Sequence, residues 1–574
     1  MRNTGIGIKQ FLSAIPRFVL VSTVLFPVAG LVLGYVAGPV VDPANIRSLL
    51  SGLASAQAAV LAIVFSVTVI GIQLTGTRYS PRMVSIFTEA PIFLYTFSLF
   101  VISIGLDFWL LYNVPETGSQ LHTAGVFAAS GLSLAVAITL FVFVKSAIQQ
   151  STPEGAIETF VSGITTEKYV SQSQKLAQDG SENVHPMHPL YNLIMNALSQ
   201  GEHATAEKAI QEYGGLVQNT LDDLEAQERF SDLDRKAVKE LFDPVLTEHL
   251  RDIALHAEEQ DETQLTSDAI EIQYELGKAG LDLSTNTISR QAQFGISNVI
   301  RDSPVEAGDL IANNNAWKQL GNLLVDASEH PQPKIVWNIS SFIEQNVQRQ
   351  LWKASDIHWY RHSMTDLYRS LETAHEALLD HYGKEVTDVD MEWQYEHVPD
   401  GISNRDEISA VFNWKEALIE TTSQFLSYVN QEGQYPVTEG KFKDNWKNIC
   451  IEASKSPAED YSITLCQALI EIAVVHRSRL GETGIPWSST IGRVKYKGDP
   501  EIVDKAFERI VEYDYVEEEP GPLFVGEMEE HRQRYYQNQL KVQEFQPLNN
   551  RPDFPEEIEE IQKEAEERWE QLKD

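Results

Sequence analysis

Four apolar stretches of helical length lie within the first 144 residues and constrain what this chain can fold into. They cover residues 18–41, 53–77, 91–114 and 123–144. The hydrocarbon core of a bilayer is about 30 Å thick, and an α-helix crosses it with about 20 apolar residues. The sequence therefore predicts a transmembrane domain at residues 1–147 with four spans, surrounded by a lipid bilayer.

Basic residues at the ends of the spans predict the orientation of this domain. One side receives the N-terminus, the connection between spans two and three, and everything after span four. That side carries Arg2, Lys9, Arg17, Arg78, Arg82 and Lys145, and the opposite side carries only Arg47. Since short cytoplasmic connections are enriched in Lys and Arg, we expect a multi-pass protein of the cell membrane with both termini in the cytoplasm.

Small residues indicate how the spans pack. Gly30, Gly34 and Gly38 recur at intervals of four in the first span. Without side-chain bulk, two helix backbones can approach closely, and this favours their association in lipid. The pattern predicts a helix-packing face at these three glycines, either within one chain or between the copies of a homo-oligomer.

Polar residues inside the spans allow two interpretations. Thr96, Ser103 and Asp107 are separated by seven and four residues, so they share one helix face. An acid inside a membrane span is a functional candidate, and this face could line a water-filled path. Alternatively, Asp107 lies close enough to the outer surface to reach water. In either case we expect Gln57 and Gln73 of the second span to be helix-packing partners.

Charge divides the chain into two chemically different parts. Residues 1–146 contain seven basic and four acidic residues, whereas the whole chain has a formal net charge of −37 at pH 7. The acidic excess after residue 146 is typical of cytoplasmic proteins in salt-accumulating halophiles, where high ionic strength screens self-repulsion. An acidic face for one basic partner is the alternative. No basic stripe offsets this field, which argues against nucleic-acid binding.

The remainder of the chain has mostly helical periodicity. Apolar residues recur at intervals of three and four, and breaks fall at Gly and Pro positions. We expect a helical cytoplasmic domain at 148–400, a second helical part at 401–550 and a charged, solvated or partner-binding helix at 551–574. Residues 493–522 are expected to combine one helix with loops or short strands. Helix pairs of about 35 to 45 residues indicate α-solenoid-like stacking, so the predicted fold class is all-α.

Motifs that carry chemistry are nearly absent from the sequence. His358, His362 and Asp366 share a helix face and form a weak candidate metal site; surface and packing roles are the favoured alternative. His375 and His381 are six apart, which does not fit a metalloprotease helix. Cys450 and Cys466 are expected to be buried thiols. There is no phosphate-binding glycine loop or nucleophile elbow, so we expect no catalytic residue and no cofactor.

The block RYSPRM at residues 78–83, after FSVTVIGIQL in the second span, resembles the signature of the membrane-protein family known as domain-of-unknown-function 2254. A second similarity lies at residues 193–210, LIMNALSQGEHATAEKAI, where Gln200 replaces a proline of the family pattern and Glu202 and His203 stand at its Asn-Asp pair. The resemblance implies a polytopic membrane protein with a cytoplasmic C-terminal region, and no particular activity.

These observations favour a non-enzymatic membrane scaffold or regulatory protein whose cytoplasmic helical region binds an unknown protein partner. An oligomeric ion channel or transporter that uses the Asp107 face is the main alternative, and a membrane-tethered metalloenzyme is a third. Arg78, Ser80 and Arg82 flank a predicted helix start, where two guanidinium groups can bind an anion or a lipid headgroup.

Overall fold

The computed structural model is helical throughout the residues that it describes, and no strand occurs among them. The described residues are 16–39, 42–78, 91–116, 119–179, 185–226, 233, 235–283, 286–303, 311–353, 361–384, 386, 405–427, 438–480, 486–512 and 554–573. They form two compact units: the membrane unit, residues 1–169 with 186–217, and the stacked unit, residues 170–185 with 218–574. The all-α fold class is confirmed.

The membrane unit contains the four expected apolar helices. They are α1 (Arg17–Ala37), α2 (Pro43–Arg78), α3 (Pro91–Tyr112) and α4 (Gln120–Ser151). The shorter helices α5 (Pro153–Gly163) and α7 (His188–Ser199) also belong to this unit, whereas α6 (Thr166–Asp179) and α8 (His203–Ala226) extend past its boundaries at residues 169 and 217. Each of α1 to α4 contains at least 21 consecutive residues that are apolar enough to cross a membrane. Helix α2 begins ten residues before the predicted second span, because Asp42 accepts a hydrogen bond from the Ala44 amide and starts the helix there.

Glycines let α1 and α4 approach closely. A Cβ atom on Gly30 would lie 2.2 Å from the carbonyl oxygen of Phe127, and one on Gly131 would lie 2.3 Å from that of Phe26. Gly34 faces the backbone of Ala124 in the same way, at 2.7 Å. Two of the three glycines predicted to pack helices therefore contact α4 of the same chain.

Gly38 does not belong to this packing face. It follows the last residue of α1 with a φ of 76°, and a Cβ there would meet nothing within 4 Å. A left-handed backbone conformation is accessible to glycine at little cost. The third glycine of the pattern thus ends the helix, and the prediction that it packs against another helix is wrong.

The outer surface of the four-helix bundle is apolar. Large side chains are widely exposed along all four helices, among them Val36 (78% exposed), Ile63 (64%), Trp109 (63%) and Phe141 (73%). Exposed apolar surface of this extent is unfavourable in water, and it matches the acyl chains of a bilayer. This surface and the helix lengths together indicate an integral membrane domain.

The stacked unit is built from thirteen further helices among the described residues. They are α9 (Arg235–Asp243), α10 (Leu250–Glu259), α11 (Thr263–Ala279), α12 (Thr287–Asp302), α13 (Ile311–Glu329), α14 (Pro333–Lys353), α15 (Arg361–Tyr382), α16 (Arg405–Ser427), α17 (Glu439–Lys455), α18 (Glu459–Leu480), α19 (Trp487–Lys497), α20 (Pro500–Glu512) and α21 (Phe554–Lys573). A π-helical turn, Pro244–His249, joins α9 to α10.

These helices form two layers with a regular neighbour relation. In one layer α11, α13, α15, α17, α19 and α21 pack in that order, and in the other α12, α14, α16, α18 and α20 do so. Each helix thus packs mainly against the next helix of its own layer and against the opposite layer. This is the arrangement of an α-solenoid, as the sequence indicated, and it continues past residue 400, where a domain boundary was expected.

The C-terminal region differs from the sequence-based expectation. Of residues 493–522, which were expected to combine one helix with loops or short strands, the described part is 493–512, and it consists of the end of α19, a short connection and the whole of α20. Helix α21 packs on α19 through the buried side chains of Ile558, Ile561 and Ala565. Its apolar stripe is narrow because charged residues surround it. For this reason the sequence predicted a solvated or partner-binding helix.

A buried lysine strengthens the contact between α19 and α21. The Lys495 ammonium bonds to Asp504 at 2.6 Å and to Glu566 at 2.5 Å, and it lies 4.5 Å from the ring centroid of Trp569. Only 7% of the Lys495 side chain is exposed. A buried charge is tolerated when it is paired in this way.

Candidate functional sites

The first candidate site is a cluster of polar side chains inside the membrane unit, which we call the Asp107 centre. It consists of Gln57 on α2, Ser103 and Asp107 on α3, and Ser133 on α4. The Gln57 amide donates hydrogen bonds to the Asp107 carboxylate at 3.1 Å and to the Ser133 hydroxyl at 2.6 Å. Ser133 in turn donates to the carbonyl oxygen of Ala129 at 2.9 Å. The Gln57 amide therefore links three helices.

Burial of this centre is nearly complete. Asp107 and Ser103 are 0% exposed and Gln57 is 7% exposed. The expectation that Asp107 reaches water at the outer surface is wrong, because α2 and α4 cover the side of α3 that carries it. Among the described residues, Asp107 Oδ1, Gln57 Oε1 and Ser103 Oγ have no hydrogen-bond partner. A buried polar atom without a partner costs about 1–3 kcal/mol.

Thr96 lies on the same buried helix face but does not join this centre. Its hydroxyl donates to the carbonyl oxygen of Ile92, one turn earlier in its own helix, at 2.7 Å. An apolar cluster that includes Leu99, Phe100 and Leu132 occupies this part of the bundle, and a second cluster, with Leu50 and Leu110, lies further along α3. Thr96, Ser103 and Asp107 are thus all buried, and two of them, Ser103 and Asp107, belong to the Asp107 centre.

The second candidate site is a groove of about 860 Å³ in the stacked unit. Helix α12 lines it from its start as far as Asn298, together with the N-terminal turns of α14 and α16, helix α9 and the π-helical turn. Pro244 begins this wider turn, and the Leu246 carbonyl inside it accepts a hydrogen bond from Gln273 at 2.6 Å. N-terminal turns expose backbone amides and carry partial positive charge, and they add to the positive charge of Lys239, Arg290 and Lys334 in a groove that also contains Asp243 and Asp406.

Charged and aromatic side chains give the groove its chemistry. Lys334 pairs with Asp406 at 3.0 Å and Lys239 pairs with Asp243 at 3.8 Å. The guanidinium of Arg290 lies 5.4 Å from the ring centroid of Phe294. Both Arg290 and Phe294 are exposed, and the ion pairs found among the described residues do not include Arg290. They offer a cation over a partly exposed aromatic ring.

A third polar group lies in the core of the stacked unit. His375 on α15 is 1% exposed, and its ring stacks on Trp414 at 4.6 Å and on Tyr461 at 5.8 Å between centroids. Burial lowers the pKa of His375 to about 3. The ring is therefore neutral at physiological pH and acts as a packing residue. Cys450, also buried, is a free thiol whose pKa is raised by burial.

The predicted metal site is only partly covered by the structure. His362 is exposed on α15, and Asp366 pairs with Arg369 at 3.8 Å. His358 lies outside the described residues. Within the described part of the chain, no three His, Cys, Asp or Glu side chains lie close enough to hold a metal ion.

The predicted anion site is only partly covered by the structure. Helix α2 is described as far as Arg78, close to the predicted end of the second span. Ser80 and Arg82 lie outside the described residues. Binding of an anion or lipid headgroup there stays a prediction.

Two features of the candidate sites escaped the sequence analysis. Ser133 is one of several small polar residues in α4, and nothing in its spacing distinguishes it. The groove combines side chains from residue 233 to residue 409, and no local pattern connects such distant positions. Gln57 and Gln73, by contrast, were predicted to be helix-packing partners: Gln57 does join α2 to α3 and α4, and the side chain of Gln73 lies outside the described part of the structure.

Comparison with known proteins adds one informative match. The model of the family described as "Predicted membrane protein (DUF2254)" matches residues 10–213, nearly the same part of the chain as the membrane unit. A solved "Circular tandem repeat protein with novel repeat topology and enhanced subunit contact surfaces" is similar at 13% identity, with a TM-score of 0.32, over 82% of this chain and 97% of that one. No curated protein matches the chain.

Proposed function

Because residues 10–213 place this chain in the DUF2254 family of predicted membrane proteins, we propose that it is an integral membrane scaffold whose stacked unit binds a cytoplasmic protein. The scaffold needs no catalytic activity and no cofactor of its own. Its membrane unit holds the protein in the lipid bilayer, and its groove receives a segment of the partner.

The groove is the observation that carries this proposal. Solenoids commonly bind extended segments along the surface formed by one layer of helices, and three successive helices of one layer contribute their N-terminal turns here. Arg290 and Phe294 fit a segment that places a carboxylate beside an apolar side chain, since Arg binds carboxylates and aromatic rings anchor interfaces. The preferred partner is therefore an acidic segment.

The distribution of basic residues supports an inward orientation of the stacked unit. Arg17 lies at the N-terminal end of α1 and Lys145 near the C-terminal end of α4, and four crossings return the chain to the side on which it began, whereas Arg47 lies near the N-terminal end of α2. The positive-inside bias then places both termini in the cytoplasm, where a partner protein is accessible.

An ion channel or transporter is the second candidate function. The Asp107 centre supports it, because an intramembrane acid is characteristic of ion and proton pathways. The glycine face of α1 packs on α4 of the same chain, so an oligomeric channel would use a different surface of the bundle. Ion flux in liposomes that is lost in Asp107→Asn would favour this function over the scaffold.

A partner-recovery experiment tests the scaffold. The full-length protein is purified gently from its native membranes, and the proteins that copurify are quantified for the native chain, for the double variant Arg290→Gln/Phe294→Ala, and for Tyr496→Ala. Tyr496 is also an exposed aromatic residue of the stacked unit, 47% exposed, and lies outside the groove. We expect at least one protein to be depleted about tenfold or more by the groove variant alone, the effect of losing about 1.4 kcal/mol. If every copurifying protein is recovered equally from all three, the groove is not the binding site.

A further inference from the structure

We propose that the Asp107 centre binds a monovalent hard cation, with Na⁺ as its best representative. The site consists of oxygen atoms on α2 and α3 that have no hydrogen-bond partner among the described residues, next to Ser133 of α4. This inference is independent of whether the stacked unit binds another protein.

The unpartnered atoms are all oxygens, and they have one chemistry in common. Asp107 Oδ1, Gln57 Oε1 and Ser103 Oγ are buried without a hydrogen-bond partner among the described residues. Both N–H groups of the Gln57 amide are used, one by Asp107 and one by Ser133. The lone pairs of these three oxygen atoms therefore accept no hydrogen bond from the described residues. Carboxylate, amide and hydroxyl oxygens are the ligands that hard cations prefer.

Charge selects a monovalent ion. Asp107 is the only ionisable side chain of the centre, and the ion pairs among the described residues do not include it. An isolated carboxylate is strongly disfavoured in an apolar interior. One positive charge neutralises it, whereas a divalent ion would leave a net charge in the same low-dielectric surroundings.

The surroundings of the centre favour a bound ion over bulk water. Apolar clusters lie on both sides of Asp107 along α3, and Asp107 and Ser103 are 0% exposed. Ser133 lies near the middle of the apolar stretch Gln120–Lys145. Ion sites of membrane transporters are commonly placed at such a depth between packed helices.

Thermal unfolding of the full-length protein in detergent tests the proposal. The melting temperature is measured in NaCl, KCl and choline chloride at one ionic strength, so that general salt effects on the acidic chain cancel. A ligand that binds only the folded state raises its stability. We expect Na⁺ or K⁺ to raise the melting temperature by several degrees, with saturation, relative to choline.

Three variants make the outcome specific. Asp107→Asn keeps the shape and removes the charge, so it should melt no lower than the native protein in choline and lose the response to Na⁺ and K⁺. Ser103→Ala should keep the response and shift its midpoint to about tenfold higher concentration, as the loss of a supporting oxygen typically does. Thr96→Val is the matched control, because the Thr96 hydroxyl bonds within its own helix, and it should respond like the native protein.

Two results would overturn the proposal. One is an equal response of the native protein and Asp107→Asn, which would place the ion elsewhere. The other is a melting temperature that is the same in all three salts but rises in choline as the pH falls in the native protein alone. That result would make Asp107 a proton site instead.

Discussion

At the scale of single residues, the surroundings of Asp107 and of His375 are formed by side chains from other helices. Asp107 stands out as an acid in an apolar helix, but its complete burial depends on Gln57 and Ser133, which come from two other helices. His375 likewise resembled part of a metalloprotease motif and proved to be stacked between Trp414 and Tyr461. Neither environment follows from spacing along one helix, because both depend on which helices become neighbours.

His375 makes the stacked unit sensitive to acid. Its folded-state pKa of about 3 lies below the ordinary value of 6.5, so its neutral form contributes fully above pH 6.5. As the pH falls from 6.5 towards 3, the unfolded chain gains a proton that the folded chain does not, and stability falls by about 1.4 kcal/mol per pH unit. Replacement by Phe keeps the stacking and removes this loss.

Hydrogen exchange of α15 and α16 amides measures this effect in the full-length protein at pH 6.5 and 5. Between these values, native opening energies should fall by about 2 kcal/mol more than those of His375→Phe. Burial raises the pKa of Glu372 on the same helix, which acts with the opposite sign, but this contribution is common to both proteins. His362→Phe, at an exposed position of α15, serves as control. Equal acid dependence in the native protein and His375→Phe would contradict the assignment.

At the scale of helices, the sequence predicted a helix correctly when its own residues were sufficient evidence, and failed when the position of a neighbouring helix had to be known. Length and hydropathy located all four apolar helices, and the periodicity of the remainder located most of the stacked unit. Helix α21 was misjudged because Ile558, Ile561 and Ala565 form a narrow stripe that is interpretable only once α19 is present to cover it. Gly38 was misjudged because it continues the four-residue spacing of Gly30 and Gly34, although helix α1 ends at Ala37.

The α1–α4 contact gives a prediction at this scale. Gly30→Ala places a Cβ against the backbone of α4, where no side chain can move aside, and it should destabilise the bundle by about 1–3 kcal/mol. Gly52→Ala is the matched control, since a Cβ there meets nothing within 4 Å; it should be neutral or stabilise α2 by up to about 1 kcal/mol. Thermal unfolding in detergent compares the two. A Gly30→Ala variant as stable as Gly52→Ala would show that α1 and α4 are not packed this closely.

At the scale of the whole molecule, the two units differ in the polarity and charge of their side chains. The membrane unit presents apolar side chains on its outside, whereas the stacked unit carries most of a chain charge of −37. The sequence distinguished these parts by composition alone. It could not identify the groove, because a groove depends on the tertiary arrangement of distant helices.

Cysteine labelling of intact cells tests the proposed orientation. Glu116 and Gly163 are exposed positions on opposite sides of the membrane in this orientation, and Cys450 and Cys466 are buried and should not interfere. A membrane-impermeant thiol reagent should label Glu116→Cys from outside, and Gly163→Cys only after the cells are opened. Labelling of Gly163→Cys in sealed cells would invert the topology.

The packing of α21 on α19 has a consequence for how the stacked unit comes apart. In a layered array each helix is stabilised by its immediate neighbours, so unfolding begins most easily at a terminal helix whose apolar side lacks a cover. Helix α21 covers α19 through Ile558, Ile561 and Ala565, with Lys495 tying the two together, and turns charged residues outward. It is an end cap, and the array would fray from this end first if the cap were released.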